Sequence, residues 1–245
     1  ADDSKDIEIR RRAVKIIGRM HDPEANKRLL ELLKNDEAAV RAAALTSLAS
    51  ASYSAEQKQQ LRPAITEFIK QETDYIYSLK YSAAYLSSCS KNKPPDIFTG
   101  AIEEYAAHAL GRVFEALSII LDRSAVRGIW AKLRSDDPKV KPLAIEALDN
   151  IGEKELTKKI TPLFEERSAE DTMAMCKSAA LAGDEAAHYE RFAKDKSPWM
   201  RGCAAYALGA AAGAHSAQLL GALAGDPDPF VRETAGWSLE KAGNQ

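Results

Sequence analysis

The amino-acid sequence predicts an all-α protein in which helical hairpins stack side by side as a solenoid, that is, an α–α superhelix. The first observation is a twelve-residue pattern that occurs at residues 137–148, 197–208 and 228–239. The second is a pair of looser copies at residues 6–17 and 37–48, which lie 31 residues apart, as the last two strict copies do. The third is the period itself, because one hairpin cannot bury its own apolar face and must stack on its neighbours.

Each position of the repeated pattern has a physical role. The pattern begins with Asp or Ser, whose side chain is expected to accept a hydrogen bond from a free amide at the start of a helix. Proline follows at the first helical position, where it needs no N–H partner. A large apolar residue, an Ala four later and usually a Leu eight later then share one helical face. The pattern therefore predicts the second helix of each hairpin, with Ala144, Ala204 and Ala235 turned inward.

A cation follows the large apolar residue in every copy of the pattern: Arg10, Arg41, Lys141, Arg201 and Arg232. Such a side chain can reach an acidic group at a helix start nearby or in the adjacent repeat. We therefore expect these residues to form a structural ladder along the stack, with ligand binding as the alternative.

The middle of the chain departs from the 31-residue period. Apolar positions predict helices at residues 55–72 and 74–88, a break at 91–95, where the sequence is Lys-Asn-Lys-Pro-Pro, and one long helix at 99–121. The second of these helices carries four tyrosines, at positions 75, 77, 81 and 85. We expect a partly buried aromatic seam with its hydroxyls at the edge, and a binding role is the alternative.

These patterns predict one domain, a single solenoid over residues 1–245. Regular repeats occupy 1–51 and 124–245, and irregular, longer helices occupy 52–123. The chain starts at Ala1 rather than Met and enters directly into a second helix. We therefore expect that it was cut from a longer polypeptide, or that an atypical cap covers its first edge.

Composition and charge restrict the class of protein. Hydrophobic residues make up 45% and charged residues 29% of the 245 positions, which is typical of a folded protein in water. The net charge of −2 argues against a general nucleic-acid binder, because phosphate neutralisation needs a basic surface. Cys89, Cys176 and Cys203 are odd in number and far apart, which favours a reducing compartment, or small core residues, over disulfides.

One stretch is long enough and free enough of charge to cross a membrane, at residues 202–225. It contains five glycines, and the repeat register divides it into the end of one helix, a turn around Gly209 and Gly213, and a second helix. We therefore expect two Ala-rich helices of a soluble domain and no membrane span within this chain.

Residue clusters that carry chemistry are scarce in this sequence. The four histidines, His21, His108, His188 and His215, are isolated and lack the His-Glu dyads that hold metals on stacked hairpins. No Gly-rich phosphate loop and no nucleophile elbow are present. We therefore expect a protein that is not an enzyme and that binds no metal and no cofactor.

The tryptophans point to a binding surface. Trp199 occupies a repeat position next to the capping Pro, where a packing role is expected. Trp237 occupies the position that holds Tyr206, Glu146, Thr46 and Lys15 in other copies. Positions with such variable chemistry are seldom core, and second helices line the concave surface of hairpin solenoids. We therefore predict a concave, partner-binding row made of Arg11, Lys15, Tyr206 and Trp237.

The capping Pro, the Val-Arg step and the Ala-x-x-x-Leu stripe resemble HEAT-like repeats over about two thirds of the chain. This resemblance implies a HEAT-like helical-hairpin solenoid that is irregular in the middle. It also implies the usual role of such folds, a scaffold that binds proteins.

A narrower likeness covers residues 104–209. It is carried by the runs 111–118, 132–138, 144–150 and 197–204, of which Glu-Ala-Leu-Asp-Asn and Pro-Trp-x-Arg-x-Cys-Ala are the more specific. These runs are similar to the soluble HEAT-repeat region of bacterial ATP/ADP carrier-like or major-facilitator-type membrane proteins. The likeness implies a cytoplasmic module that a missing N-terminal part could tether to a membrane, and it implies no catalytic residue.

The leading hypothesis is a non-enzymatic helical-repeat scaffold that binds a protein partner or an adjoining domain of its parent chain. One alternative is an enzyme-associated subunit of bilin-lyase type, since such subunits share these repeats. A weaker alternative is a DNA-lesion glycosylase, against which the acidic balance counts.

Overall fold

The structure is a computed structural model that describes residues 7–20, 22–35, 37–89, 94–135, 137–151, 154–177, 184–211 and 213–243. These residues form α-helices and no β-strand. The all-α, solenoid-type fold class predicted from the sequence is confirmed. Asp6, His21 and the Lys-Asn-Lys part of the predicted break lie outside the described residues.

Thirteen α-helices follow one another along the described ranges. They are α1 (Ile7–Gly18), α2 (Pro23–Leu32), α3 (Ala38–Ser50), α4 (Ala55–Cys89), α5 (Asp96–Ile120), α6 (Arg123–Leu133), α7 (Val140–Asp149), α8 (Lys154–Ile160), α9 (Ala169–Met175), α10 (Glu185–Ala193), α11 (Pro198–Ala210), α12 (Ala214–Leu223) and α13 (Pro229–Gly243). A 3₁₀ turn, Thr161–Phe164, follows α8.

The chain divides into two compact units. The first contains residues 1–74 and 109–166, and the second contains residues 75–108 and 167–245. The long helices α4 and α5 each contribute one part to either unit.

In the first unit the second helices α1 and α3 lie side by side. Helix α1 packs against α3, α2 packs on both of them, and α6 packs against α7. The apolar faces meet in a core that includes Leu29, Leu45, Leu48, Ile65, Val113 and Leu117, all of them buried. At roughly 25 cal/mol per Å² of apolar surface, burial of this face holds the hairpins together.

The second unit repeats this arrangement around α11. Helix α11 packs against α10, α12 and α13, and α10 also packs against α12. The core includes Ile76, Leu79, Phe98, Ile102, Phe192, Met200, Leu208 and Val231. The second helices α11 and α13 therefore lie next to each other, as α1 and α3 do in the first unit.

The inward face of the repeated pattern is confirmed. Ala144, Ala204 and Ala235 all have 0% exposure, and they lie on the helices α7, α11 and α13. The small alanine side chain is what allows a neighbouring helix to approach closely at these positions.

The helix starts differ in part from the expected capping. Ser197 makes no side-chain cap, although it precedes α11 directly. The aspartate two positions before the expected cap accepts a hydrogen bond instead. Asp195 Oδ1 accepts from the Ser197 amide at 2.8 Å, and Asp226 Oδ1 accepts from the Asp228 amide at 2.9 Å. The acceptor therefore sits within the turn before the helix, where it holds an amide outside the helix.

The arginines of the predicted ladder donate hydrogen bonds to the turns that precede their helices. In three copies the arginine donates to the backbone oxygen six residues earlier: Arg41 to Asn35, Arg201 to Asp195 and Arg232 to Asp226, at 2.7, 2.8 and 2.7 Å. Arg201 also bonds the Asp226 carboxylate of the next repeat, and Arg10 bonds Glu37 in the same way. Arg10 and Arg201 therefore reach an acidic side chain of the next repeat, as the ladder requires, whereas the bonds above join Arg41 and Arg232 to the turn before their own helix. A ladder through all five cations, Lys141 included, stays a prediction.

Three boundaries predicted from the sequence were wrong. The two helices expected at 55–72 and 74–88 are one helix, α4, because no Gly or Pro lies at the expected junction and Thr73 is buried within it. Helix α5 begins at Asp96 rather than at 99, directly after Pro95. Gly209 lies inside α11 and not in a turn, because its missing side chain leaves room for Ser238 of α13.

Candidate functional site

Four aromatic side chains form a partly exposed surface on α11 and α13 of the second unit. Trp199, Phe230 and Trp237 are 48%, 42% and 49% exposed, and Tyr206 is partly exposed. Large aromatic side chains normally bury most of their area, so their grouping at the surface is unusual. We call these four residues the aromatic surface.

The rings of the aromatic surface form two stacked pairs. The centroids of Trp199 and Phe230 are 5.8 Å apart with planes at 12°, and those of Tyr206 and Trp237 are 5.7 Å apart with planes at 4°. Each pair joins equivalent positions of two repeats, because its members are 31 residues apart and α11 lies beside α13. Along each helix the pairs are separated by seven residues, or about 10.5 Å at 1.5 Å per residue.

A groove of about 470 Å³ lies between the two ring pairs. Gly202 and Cys203 of α11, Glu233 and Thr234 of α13, and Ile97 of α5 line it with the four rings. Gly202 is required for this shape, since a Cβ there would lie 2.1 Å from Cε1 of the Phe230 ring. The missing side chain lets the Phe230 ring lie close against the backbone of α11.

The groove is lined mainly by apolar side chains and carries one carboxylate in the described structure. Glu233 is the single charged residue among the described residues that line it. Burial, together with the charge of Glu104, raises the pKa of Cys203 to about 11. That thiol is therefore neutral at physiological pH and is a small apolar part of the floor. Lys241 lies beyond the other end, with its ammonium 5.2 Å from the centroid of the Trp237 ring.

Buried ionic contacts hold the two helices that carry the surface. Arg201 donates to both carboxylate oxygens of Asp226 at 2.7 and 2.9 Å, and both side chains are largely buried. This pairing holds the pKa of Asp226 below its usual range, chiefly through the hydrogen bond from Arg201. This ion pair therefore ties α11 to the turn that precedes α13, the two helices that carry the ring pairs.

Of the predicted partner-binding row, the structure brings Tyr206 and Trp237 together. Arg11 and Lys15 lie on α1 in the first unit, where Arg11 donates to Glu8 at 2.9 Å and Lys15 is exposed. The row as a whole stays a prediction. Phe230, Ile97 and Glu233 were not predicted as surface residues, and for Trp199 only a packing role was expected. The 31-residue shift that aligns Trp199 with Phe230 was the signal that could have shown them as a pair.

A second polar cluster lies buried among α4 and α10 of the same unit. Arg191 donates to the Ser78 backbone oxygen and to the hydroxyls of Ser78 and Ser82, at 3.0, 2.6 and 3.0 Å. Ser82 donates to the Ser78 backbone oxygen, so Nδ1 of the fully buried His188, 3.1 Å away, is the donor to Ser82. This leaves His188 Nε2 without a hydrogen-bond partner in the described part of the chain.

The tyrosine seam forms part of this buried cluster. Tyr75 donates to Asp195 at 3.0 Å, while Tyr81 and Tyr85 pack against the His188 ring with centroids at 5.8 and 4.5 Å. The four tyrosines of α4 are partly buried, as predicted. Burial lowers the pKa of His188, with a further contribution from Arg191. The cluster therefore joins α4 to α10 and keeps His188 neutral.

Neither a metal site nor a membrane span is found where the chain is described. No group of three or more His, Cys, Asp or Glu residues there is arranged to hold a metal ion. None of the described helices combines the length and the apolar character that crossing a membrane requires.

Comparison with known proteins supports a HEAT-like repeat protein. A family described as HEAT repeats matches residues 1–75, which include α1, α2 and α3. A crystal structure of an engineered protein aligns with 99% of this chain and 93% of its own, at 20% identity. Its TM-score of 0.26 is too low to carry an argument. No curated protein matches the chain. The narrower likeness to transporter-attached repeat regions stays a prediction.

Proposed function

We propose that this chain is a non-enzymatic helical-repeat scaffold that binds a protein partner, or an adjoining domain of its parent chain, through the aromatic surface. The single observation that carries this proposal is the exposure of Trp199, Phe230 and Trp237 on neighbouring helices. Trp and Tyr are enriched among the residues that dominate binding energy at protein interfaces. Helical repeats also serve commonly as protein-binding scaffolds.

Charge favours a protein over a nucleic acid as the partner. The charged group that lines the groove is the carboxylate of Glu233, which would repel a phosphate backbone. The DNA-glycosylase alternative requires cations around a base-sized pocket, and the lining residues provide none. A protein surface, by contrast, can supply apolar groups for the rings and a cation for Glu233.

The chemistry of the groove supports a non-enzymatic role. Its thiol, Cys203, is protonated at neutral pH because burial raises its pKa to about 11. A protonated thiol is a poor nucleophile and a poor metal ligand. The bilin-lyase alternative would be favoured if tight stoichiometric pigment binding were found.

The finer proposal is that the chain is a cytoplasmic module of a larger, transporter-like bacterial protein. It is supported by the likeness of residues 104–209 and by cysteine usage that suits a reducing compartment. Reading the coding sequence on either side of this chain tests it. A run of apolar spans encoded upstream would support the proposal, and its absence would contradict it.

A display selection tests the binding role. Random peptides and small domains are selected on the wild-type chain, with depletion on a variant that carries Trp199→Ala, Phe230→Ala and Trp237→Ala. The matched control carries Ile16→Ala and Leu143→Ala, which remove apolar residues that are equally or more exposed in the first unit. We expect binders that the control retains and the triple variant loses. If every binder is retained by the triple variant, with circular dichroism showing both proteins folded, the proposal is wrong.

A further inference from the structure

We propose that the aromatic surface binds an extended, proline-rich segment in the polyproline II conformation, with a basic residue near one end. This inference rests on the proposed function and specifies the partner's chemistry. Three features carry it: the spacing of the ring pairs, the donors on the rings and the charges along the groove.

The spacing of the ring pairs matches a polyproline II helix. Such a helix advances about 3.1 Å per residue with three residues per turn, so prolines three positions apart lie about 9.3 Å apart. The two ring pairs are about 10.5 Å apart along α11 and α13. Trp199 with Phe230 can receive one proline, and Tyr206 with Trp237 can receive the next. The near-parallel rings, at 12° and 4°, offer flat faces of the kind on which proline rings pack.

The aromatic surface offers hydrogen-bond donors that such a segment needs. Polyproline II has no internal hydrogen bonds, so its backbone carbonyls require external donors. The indole N–H groups of Trp199 and Trp237 and the hydroxyl of Tyr206 bond to no other residue in the described part of the chain. A helical ligand has already paired its backbone carbonyls and would leave these donors facing apolar side chains. The donors therefore favour an extended segment over an amphipathic helix.

The charges along the groove select for a cation and set a direction. Glu233 lines the groove between the two ring pairs, and Glu104 lines a second cavity of about 300 Å³ that Trp199 also lines. Lys241 lies at the opposite end, over Trp237. A basic residue in the ligand is therefore expected toward Trp199, and an acidic residue or a terminal carboxylate toward Trp237.

Binding of defined peptides to the intact chain tests the inference. The probes are Pro-x-x-Pro peptides with a flanking Arg, in which the residues between and around the prolines are varied. One control set has both prolines replaced by Ala, and another has the Arg replaced by Glu. Titrations are followed by calorimetry and by the indole N–H signals of Trp199 and Trp237 in NMR spectra. We expect the best proline peptides to bind about tenfold more tightly than their Ala versions, as for loss of an interface hot spot.

Variants of the chain locate the contact. Trp199→Ala and Trp237→Ala are each expected to weaken binding by about tenfold or more, and Leu143→Ala to leave it unchanged. Glu233→Gln should weaken binding of the Arg peptides by several-fold and should not weaken binding of the Glu peptides, because it removes a like charge. Circular dichroism confirms that each variant is folded.

The outcomes separate this inference from the proposed function. The inference is wrong if the selected binders depend on the aromatic surface but are helical, or if proline peptides bind no better than their Ala versions. In either case the scaffold role stands. If neither selection nor titration finds a ligand that depends on the surface, both are wrong.

Discussion

Arg201 and Asp226 form a largely enclosed ion pair between two successive repeats. The guanidinium donates from Nε and Nη2 to the two carboxylate oxygens, at 2.7 and 2.9 Å, and the side chains are only 13% and 7% exposed. The same arginine donates to the Asp195 backbone oxygen at 2.8 Å. One side chain therefore ties the turn before its own helix to the turn before the next.

We expect loss of this pair to destabilise the second unit. Asp226→Ala leaves a buried guanidinium without its carboxylate, which costs about 3 kcal/mol. Arg201→Lys should cost about 1 kcal/mol, because an ammonium cannot make the two parallel bonds. Urea denaturation followed by circular dichroism measures both. Arg28→Ala is the control, since its ion pair with Glu31 is exposed and should contribute little; equal losses in all three variants would contradict the ladder.

The same pair predicts an acid-sensitive contribution to stability. The hydrogen bond from Arg201 is the main reason that the folded-state pKa of Asp226 lies below its unfolded value, which is about 3.9. The contribution is therefore fully present above that unfolded value and is lost as the pH falls through the folded-state pKa. We expect the stability difference between wild type and Asp226→Asn to be constant from pH 5 to 7 and to shrink below about pH 4. A difference that grows on acidification would contradict this assignment.

Gly209 is a close-approach position, and we expect Gly209→Ala to destabilise the second unit. A Cβ there would lie 2.8 Å from Ser238 Cβ and 3.2 Å from Ser238 Cα, so α11 and α13 must separate, at a cost of about 1–3 kcal/mol. Gly221→Ala is the matched control: this helical glycine has nothing within 4 Å, and alanine should be neutral or stabilise by up to about 1 kcal/mol. Thermal denaturation of the two variants distinguishes a packing role from helix propensity. If both variants are stabilised, the close approach is unimportant.

The Gly209–Ser238 contact shows why some of this architecture could be predicted and some could not. Gly18 meets Ser47 in the first unit in the same way, at 2.6 Å from a built Cβ, and both residues lie 191 positions before their counterparts. The repeat in the sequence therefore does encode the contact. A glycine near a helix end is also a usual turn signal, however, and that local signal led to the wrong prediction of a turn at Gly209.

The aromatic surface could be predicted only in part for a similar reason. Tyr206 and Trp237 were identified because their repeat position holds chemically varied residues. Trp199 and Phe230 share a position too, but the adjoining Pro and the apolar character suggested packing alone. Stacking of rings from neighbouring repeats depends on how closely α13 packs against α11, and Gly202 permits the close packing. No local sequence pattern gives the distance between these two helices.

His188 predicts a loss of stability on mild acidification. The ring is fully buried, accepts nothing at Nε2 within the described structure, and faces Arg191, Tyr81 and Tyr85. Burial and the Arg191 charge put its folded-state pKa below the unfolded value of about 6.5. The unfolded chain therefore binds the proton more readily, and stability falls as the pH drops below about 6.5.

We expect His188→Gln to flatten this dependence between pH 7 and 5, whatever its effect on absolute stability. Unfolding free energies at pH 5, 6 and 7, from urea denaturation, give the slope for each protein. Wild type measured in the same buffers is the reference. An unchanged slope in His188→Gln would show that this histidine is not the titrating group.

The four rings of the aromatic surface should contribute less to the free energy of unfolding than buried side chains of similar size. Trp237 is 49% exposed, and its ring is stacked on Tyr206 and lies under the Lys241 ammonium. Trp237→Ala should therefore cost only about 1 kcal/mol. Leu208, on α11 beneath the same surface, is 1% exposed, and Leu208→Ala should cost about 3 kcal/mol through lost burial and a cavity. Urea denaturation of the two variants gives this comparison directly. If Trp237→Ala costs as much as Leu208→Ala, the exposed rings are retained for stability, and their exposure no longer supports binding of a partner.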